Sequence, residues 1–193
     1  RPRHQAVTRK AATFRASVHA VLFDLDGTLA DTAADLARAL NRLLAERNIA
    51  PVPLNVTRPH TSSGARGLIA VGFGIAPGHP DYEGLRTRFL DLYAEGVCVE
   101  TRLYDGMPEL LDRLESSNIR WGVVTNKPAR FTLPLIERLG LASRAACIVS
   151  GDTAARSKPY PAPLHHAATQ LKLQPPQCRY VGDALRDVQA ARA

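Results

Sequence analysis

Four short stretches of this 193-residue sequence carry side chains that could do chemistry together. Asp24 and Asp26 flank a single leucine and are followed by Gly27 and Thr28; Thr125-Asn126, Lys158 and Gly182-Asp183 complete the set, with Asp187 four residues further on. Burying Asp24, Asp26 and Asp183 close together is costly unless a cation compensates, and the hard divalent ion Mg²⁺ prefers such oxygen ligands. Thr125 and Lys158 do not suit that metal, because an ammonium repels it, but both suit the oxygens of a phosphate. The residue types therefore point to a phosphoryl group handled beside Mg²⁺. Taken singly each piece is weak: a lone Asp at a strand end is more often a helix cap, Thr125 a cap, and Lys158 a surface charge. The ordered set Asp-x-Asp-Gly-Thr, apolar-Thr-Asn, Lys-Pro, Gly-Asp-x-x-x-Asp makes chance an improbable source.

Each of these groups closes or follows an apolar run. Residues 18–23 (VHAVLF), 119–124 (IRWGVV), 145–149 (AACIV) and 178–181 (CRYV) are short and lack polar alternation, the pattern of parallel strands covered on both faces. Phe131, Leu135, Ile136 and Leu139 recur at helical spacing before Gly140, and Leu164, Ala167, Ala168 and Leu171 repeat the pattern. The body thus reads as β-α-β-α-β, an α/β fold with a parallel sheet whose ligands bind beyond the carboxyl ends of the strands. The roughly 95 residues between the first two strands exceed what one crossover needs. They imply an insertion, read as a helical module over 34–100 with stripes Leu36-Leu40-Leu43-Leu44 and Leu85-Phe89-Leu92-Tyr93 and no strand. Asp31 and Thr32 are the expected caps of the first of these helices, and Met107, Leu110, Leu111 and Leu114 begin the return to the sheet. The expected division is a basic, poorly ordered tail at 1–17, an α/β core at 18–33 and 101–193, and a helical cap at 34–100.

Composition narrows the class. Apolar residues make up 45% and charged residues 22%, which excludes disordered and fibrous classes. No apolar stretch reaches the about 18 residues of a membrane span. Five of the net seven positive charges (Arg1, Arg3, Arg9, Lys10, Arg15) precede Val18, so the body is nearly neutral and a nucleic-acid partner is not expected. The tail is Arg-rich and acid-free, a weak likeness to an organellar transit peptide. Cys98, Cys147 and Cys178 form no Cys-x-x-Cys, so neither zinc nor a disulfide framework is expected, and the cysteines fit a reducing, cytoplasmic setting. His165 and His166 are adjacent and point to different sides of a helix. No P-loop, Gly-x-Ser-x-Gly elbow or His-Glu-x-x-His occurs.

The motifs FDLDGTLADT (23–32), VVTNKP (123–128), SKPYPAP (157–163) and VGDALRD (181–187) resemble those of the haloacid dehalogenase superfamily, specifically its phosphatases with a helical cap inserted after the first motif. SSGARGL (62–68) and WGVVTNKPARF (121–131) are most similar to the phosphoglycolate phosphatase and N-acetylmuramic acid 6-phosphate phosphatase branch. The resemblance implies a Rossmann-like core in which Asp24 is the nucleophile and Asp26 the general acid and base. It implies Mg²⁺ held by Asp24, the main-chain carbonyl of Asp26 and Asp183, with Asp187 in support. Thr125, Asn126, Lys158 and Gly27 would surround the phosphate, and Ser63, Gly64 and Arg66 in the cap would choose the substrate. They belong to a polar cluster with Arg58, His60, Thr61 and Ser62 that could equally be a solvated loop. Lys127 and Arg130 could add positive potential or cap a helix. The implied activity is hydrolysis of a small phosphorylated metabolite, 2-phosphoglycolate first, then a sugar phosphate such as N-acetylmuramic acid 6-phosphate, with a phosphomutase behind. Dehalogenases proper lack the second Asp, and ion-pumping ATPases carry Lys where Leu25 stands. Members of the superfamily continue after the last motif with a further strand and helix, so the C-terminal part of the core is expected to be missing here, and restoring it to raise thermal stability.

The rival reading, a nucleic-acid binder acting through its basic arm, predicts a different response to deletion of residues 1–17. The enzyme keeps its turnover without the arm. A salt-sensitive loss of nucleic-acid affinity in an electrophoretic shift assay would favour the binder.

Overall fold

The computed structural model describes residues 17–193, so the basic arm at residues 1–16 lies outside the described residues. Four parallel strands, β1 (Ala20–Phe23), β4 (Arg120–Val124), β5 (Ile148–Val149) and β6 (Cys178–Val181), form one sheet in the order β5-β4-β1-β6. A second ribbon pairs β2 (Ala30–Asp31) antiparallel with β3 (Arg102–Leu103). The chain is an α/β protein built on a parallel sheet, as the strand patterns require. The third expected strand is shorter than its apolar run, because only Ile148 and Val149 pair with β4.

The lack of alternation in β1 and β4 has a packing cause. Phe23, Trp121 and Val123 face one apolar cluster, while Ala20, Leu22 and Val124 face another on the opposite side of the sheet. Helix α7 (Ala162–Gln170) supplies Ala167 to the second cluster. Helices α5 (Met107–Ser116) and α6 (Ala129–Arg138) supply Leu111, Phe131, Leu135 and Ile136 to the first. Gly122 sits where a side chain would collide with the Cys147 thiol and carbonyl, which is why a glycine interrupts an otherwise bulky strand. All three cysteines are free.

Between β2 and β3 the chain is helical. Helix α1 (Ala33–Ala45) buries Leu36, Leu40, Leu43 and Leu44, and α4 (Tyr82–Ala94) buries Leu85, Phe89, Leu92 and Tyr93, the two stripes read from the sequence. A short α2 (Leu54–Thr57), a 3₁₀ turn at Arg58–Ser63 and α3 (Gly64–Phe73) lie between them. These helices share one continuous apolar cluster with Phe23, Leu25 and Leu29 of the sheet side. The expected caps of α1 are used differently. Asp31 accepts the Ala33 N–H at 3.2 Å, whereas Thr32 makes no cap bond and turns its hydroxyl to Asp26. Among the described residues no helix is long and apolar enough to cross a membrane.

The return from the helices is pinned by one carboxylate. Asp35 is fully buried in α1 and accepts hydrogen bonds from the backbone N–H groups of Val99 (3.0 Å), Glu100 (3.0 Å) and Thr101 (3.0 Å) and from the Thr101 hydroxyl (2.6 Å). Arg38 closes the shell at 2.9 Å. Burial pushes the Asp35 carboxyl up, but the Thr101 hydroxyl and these N–H donors outweigh it and hold it below the usual carboxylate range. A carboxyl whose folded-state pKa is depressed contributes stability above its unfolded value and loses it as pH falls through the folded value. Asp35→Ala should therefore cost about 3 kcal/mol at neutral pH by orphaning buried donors. The melting temperature should drop on the order of 10 °C in calorimetry, and the gap to wild type should narrow below about pH 4.

Candidate functional site

The sheet register decides where the site forms. Phe23 pairs with Val123 on one side and Val181 on the other, so the residues just beyond these ends converge. Asp24 continues the ladder by donating its N–H to the Val181 carbonyl at 2.8 Å, and Thr125 donates to the Val149 carbonyl at 2.9 Å. The loop after Asp24 turns back at once: Leu29 and Ala30 donate to the Leu25 carbonyl at 3.1 and 2.9 Å. Gly27 makes that turn possible, with φ of +81° and a missing Cβ that would stand 2.6 Å from Asp183 Oδ2.

Asp24 is buried and receives the Leu25 N–H at 2.8 Å. Lys158, also buried, places its Nζ 3.0 Å from Asp24 Oδ1 and 2.7 Å from Asp187 Oδ1. The same ammonium donates to the Tyr180 hydroxyl at 2.6 Å and the Val124 carbonyl at 3.2 Å. Burial pushes the Asp24 carboxyl up, Asp187 and Asp26 add to that, and Lys158 opposes them. Burial, with the charges of Asp24 and Asp187 added, drives the Tyr180 phenol far above its ordinary value, so it stays a neutral partner. Asn126 accepts the Lys158 N–H at 2.9 Å and donates to the Lys158 carbonyl at 2.8 Å. The side chain expected on a phosphate is thus occupied in holding Lys158, and Lys158 itself is turned to two carboxylates.

The structure regroups the acidic residues. Asp24, Asp183 and Asp187 offer carboxylate oxygens within 4.8 Å of one another. Asp183 is exposed and accepts hydrogen bonds from Thr28 at 3.3 Å and from Ser62. Asp187 also accepts the Ala184 N–H at 3.0 Å, which caps α8 (Leu185–Arg192). The Asp26 carboxylate lies outside this cluster. It accepts the Thr32 hydroxyl at 2.6 Å and forms an ion pair with Lys127 Nζ at 2.8 Å. Burial opposes the Lys127 charge, but Asp26 outweighs it and holds the ammonium above its usual range. Lys127 also lies 4.7 Å from the Tyr93 ring centroid, and its N–H donates to the Thr125 hydroxyl at 3.1 Å. Lys127 is neither a helix cap nor a diffuse charge, as the sequence left open. Its place beside the apolar-Thr-Asn motif was the available signal; Thr32 closes the first motif but reads there as a cap, and Tyr180 had no signal.

A cavity of about 280 Å³ opens between these strand ends and the helices. Asp24, Asp26, Thr125, Asn126 and Lys127 line its sheet side, and Ser63, Gly64 and Arg66 line the opposite wall. The rest of the polar cluster divides. Arg58 pairs with Asp31 at 2.8 Å instead of facing the cavity, and Ser62 bridges across to Asp183. Arg186 fixes the same segment, donating from Nη2 to the Ser62 carbonyl at 2.6 Å.

Residues 21–193 match the family described as haloacid dehalogenase-like hydrolase. The chain belongs to that family. It is 44% identical over 178 residues to the N-acetylmuramic acid 6-phosphate phosphatase of Pseudomonas aeruginosa, covering 92% of this chain and 79% of that one. It is 42% identical over 177 residues to the phosphoglycolate phosphatase of Xanthomonas campestris pv. campestris, covering 90% and 78% respectively. Among solved structures, a predicted phosphoglycolate phosphatase from Haemophilus somnus superposes with a TM-score of 0.78 at 27% identity, over 91% of this chain and 81% of that one.

In this haloacid dehalogenase-like hydrolase the buried Lys158 ammonium also takes a phenol as a hydrogen-bond partner. Tyr180→Phe removes one partner of a buried ammonium and should cost about 1–2 kcal/mol. The urea midpoint should fall with the slope unchanged. An unshifted midpoint would mean that Asp24 and Asp187 satisfy Lys158 alone.

Proposed function

We propose that this hydrolase is a Mg²⁺-dependent phosphomonoesterase working through an aspartyl-phosphate on Asp24. The observation that carries the reading is the separation of the two motif aspartates. Asp24 stands buried against Lys158 within an acidic cluster, while Asp26, two residues on, faces the same cavity from beside Lys127 and Thr32. One carboxylate is thus placed to attack and the other to move a proton.

The donor set of Asp24, Asp183 and Asp187 fits a hard divalent cation, since three carboxylates outweigh the single Lys158 ammonium. Asp24, the Asp26 carbonyl and Asp183 would hold it, with Asp187 behind. When bound, Mg²⁺ would neutralise charge on the phosphoryl oxygens. Asp24 Oδ attacks phosphorus in line, and the bond from phosphorus to the ester oxygen breaks. Asp26 in its acid form gives that oxygen its proton. Asp26, now a carboxylate, takes a proton from water, whose oxygen attacks the same phosphorus and returns Asp24 with release of phosphate. Thr125 and the loop at Gly27 position the transferring oxygens, and Lys158 keeps Asp24 oriented. The helices over 34–100 act as a cap on the core formed by 18–33 and 101–193.

The substrate we favour is 2-phosphoglycolate, the compound named for the Xanthomonas relative. N-acetylmuramic acid 6-phosphate is the second reading, supported by the 44% identity to the Pseudomonas enzyme. A phosphomutase ranks below both.

Intact-mass spectrometry separates the two aspartates. With Mg²⁺ and an aryl phosphate, Asp24→Asn should form no phosphoenzyme. Asp26→Asn should still phosphorylate Asp24, because a good leaving group needs little acid help, and then hydrolyse slowly, with turnover of alkyl phosphates down about 10²- to 10⁴-fold. Chelation of Mg²⁺ should abolish both steps. A phosphoenzyme persisting in Asp24→Asn would overturn the assignment.

A further inference from the structure

Lys127 is more deeply buried than the carboxylate it pairs with: its side chain is 6% exposed and that of Asp26 17%. Taking an ammonium out of water is expensive, and a buried ion pair recovers that cost only in part. Asp26 borders the cavity and can be solvated there, so its own burial does not call for a counter-ion. What the pair supplies is position.

Both partners are fixed. Lys127 Nζ stands 2.8 Å from Asp26 Oδ1 and 3.1 Å from Oδ2, whereas the Thr32 hydroxyl reaches Oδ1 alone. Among the described residues, Lys127 is therefore the one hydrogen-bond donor to Oδ2. Its backbone is clamped as well. The Lys127 N–H donates to the Thr125 hydroxyl at 3.1 Å, and its carbonyl accepts the Thr132 hydroxyl at 2.9 Å and the Gly151 N–H at 2.8 Å. From the helical layer, Tyr93 of α4 brings its ring centroid to 4.7 Å from the ammonium, and its hydroxyl bonds the same group. Tyr93 packs in turn on Phe131 of α6, with ring centroids 5.3 Å apart. An ammonium has three N–H groups. Here the two Asp26 oxygens and the Tyr93 hydroxyl meet them, so Lys127 is satisfied without a phosphate oxygen.

We propose that Lys127 is a positioning residue for proton transfer: it holds both oxygens of the Asp26 carboxylate at the cavity wall, and Tyr93 ties that hold to the helices above the site. This rests on the phosphatase reading above, in which Asp26 moves the proton. An ammonium holds the carboxylate form, the one that takes a proton from water. Loss of Lys127 should therefore fall on hydrolysis of the aspartyl-phosphate and spare its formation from a good leaving group.

With Mg²⁺ and p-nitrophenyl phosphate the two steps separate, since a burst of p-nitrophenolate reports formation of the phosphoenzyme and the steady rate reports its hydrolysis. Lys127→Met should lower the steady rate about 10- to 100-fold, the usual cost of misplacing a reacting group. Its burst should remain fast, and phosphoenzyme should accumulate by intact mass. Lys127→Arg should recover part of the rate, and Tyr93→Phe should lose a smaller factor. In an Asp26→Asn background Lys127→Met should slow hydrolysis no further, because the group it positions is gone. Circular dichroism checks the fold of each variant, and if Lys127→Met does not fold, the same cycle is run with Tyr93→Phe. Equal slowing with and without the Asp26 carboxylate, or a slowed burst, would place Lys127 on the phosphoryl group and overturn the proposal. A fully retained steady rate would overturn it too. Absence of Mg²⁺-dependent p-nitrophenolate release by wild type would overturn the phosphatase reading itself and this proposal with it.

Discussion

A carboxylate at the tip of a buried central strand is an expensive thing to keep ionised, and much of this structure answers that constraint. Asp24 lies between two neighbouring strands and under a helical layer, so water cannot solvate it. Lys158 is brought against it from the segment after β5, and Lys158 in turn needs Asp187, Tyr180 and the Val124 carbonyl to complete its own shell. Asn126 clamps the Lys158 backbone from the end of β4. Every strand end of the sheet thus contributes to keeping one charge in place. Such a network is rigid because each member is satisfied only while the others hold position.

The second aspartate of the first motif takes its hydrogen-bond and ion-pair partners outside that network. Only Leu25 separates Asp26 from Asp24, yet its carboxylate meets a different cation, Lys127, and a hydroxyl donor on the way into α1. Two carboxylates that are neighbours in sequence are thus held by two different ammonium groups. On the proposed mechanism these two environments are what would divide attack from proton transfer.

The helices close over the site through few polar links, and these links touch the chemistry. Ser62 bonds Asp183, and Arg186 bonds the Ser62 carbonyl, so the 3₁₀ turn at Arg58–Ser63 is tied to the same short loop that supplies the acidic cluster. Behind it, Asp35 anchors the exit of the helical segment to its entry, and the two-residue ribbon of β2 and β3 brings both crossings together. The layer is therefore tied to the sheet side both where the chain crosses and at the site itself.

The sequence alone was enough for the strand ends and the helical stripes, because both are local: an apolar run without alternation reports burial on two faces, and a 3.6-residue recurrence reports one. It also placed Asp24, Thr125 and Asp183 at one edge, since ligands gather where parallel strands end. Side-chain direction was not legible. Lys127 reaches Asp26 across 101 residues, Arg186 reaches Ser62 across 124, and no spacing rule encodes such contacts. The two-residue strands β2 and β3 are too short to show a period, and the roles of Thr32, Tyr180 and Asn126 depend on which partner arrives from another element. Residue types and order determined what chemistry was available; packing at long sequence separation decided which carboxylate meets which cation, because a buried charge takes its partner from whatever the fold sets beside it.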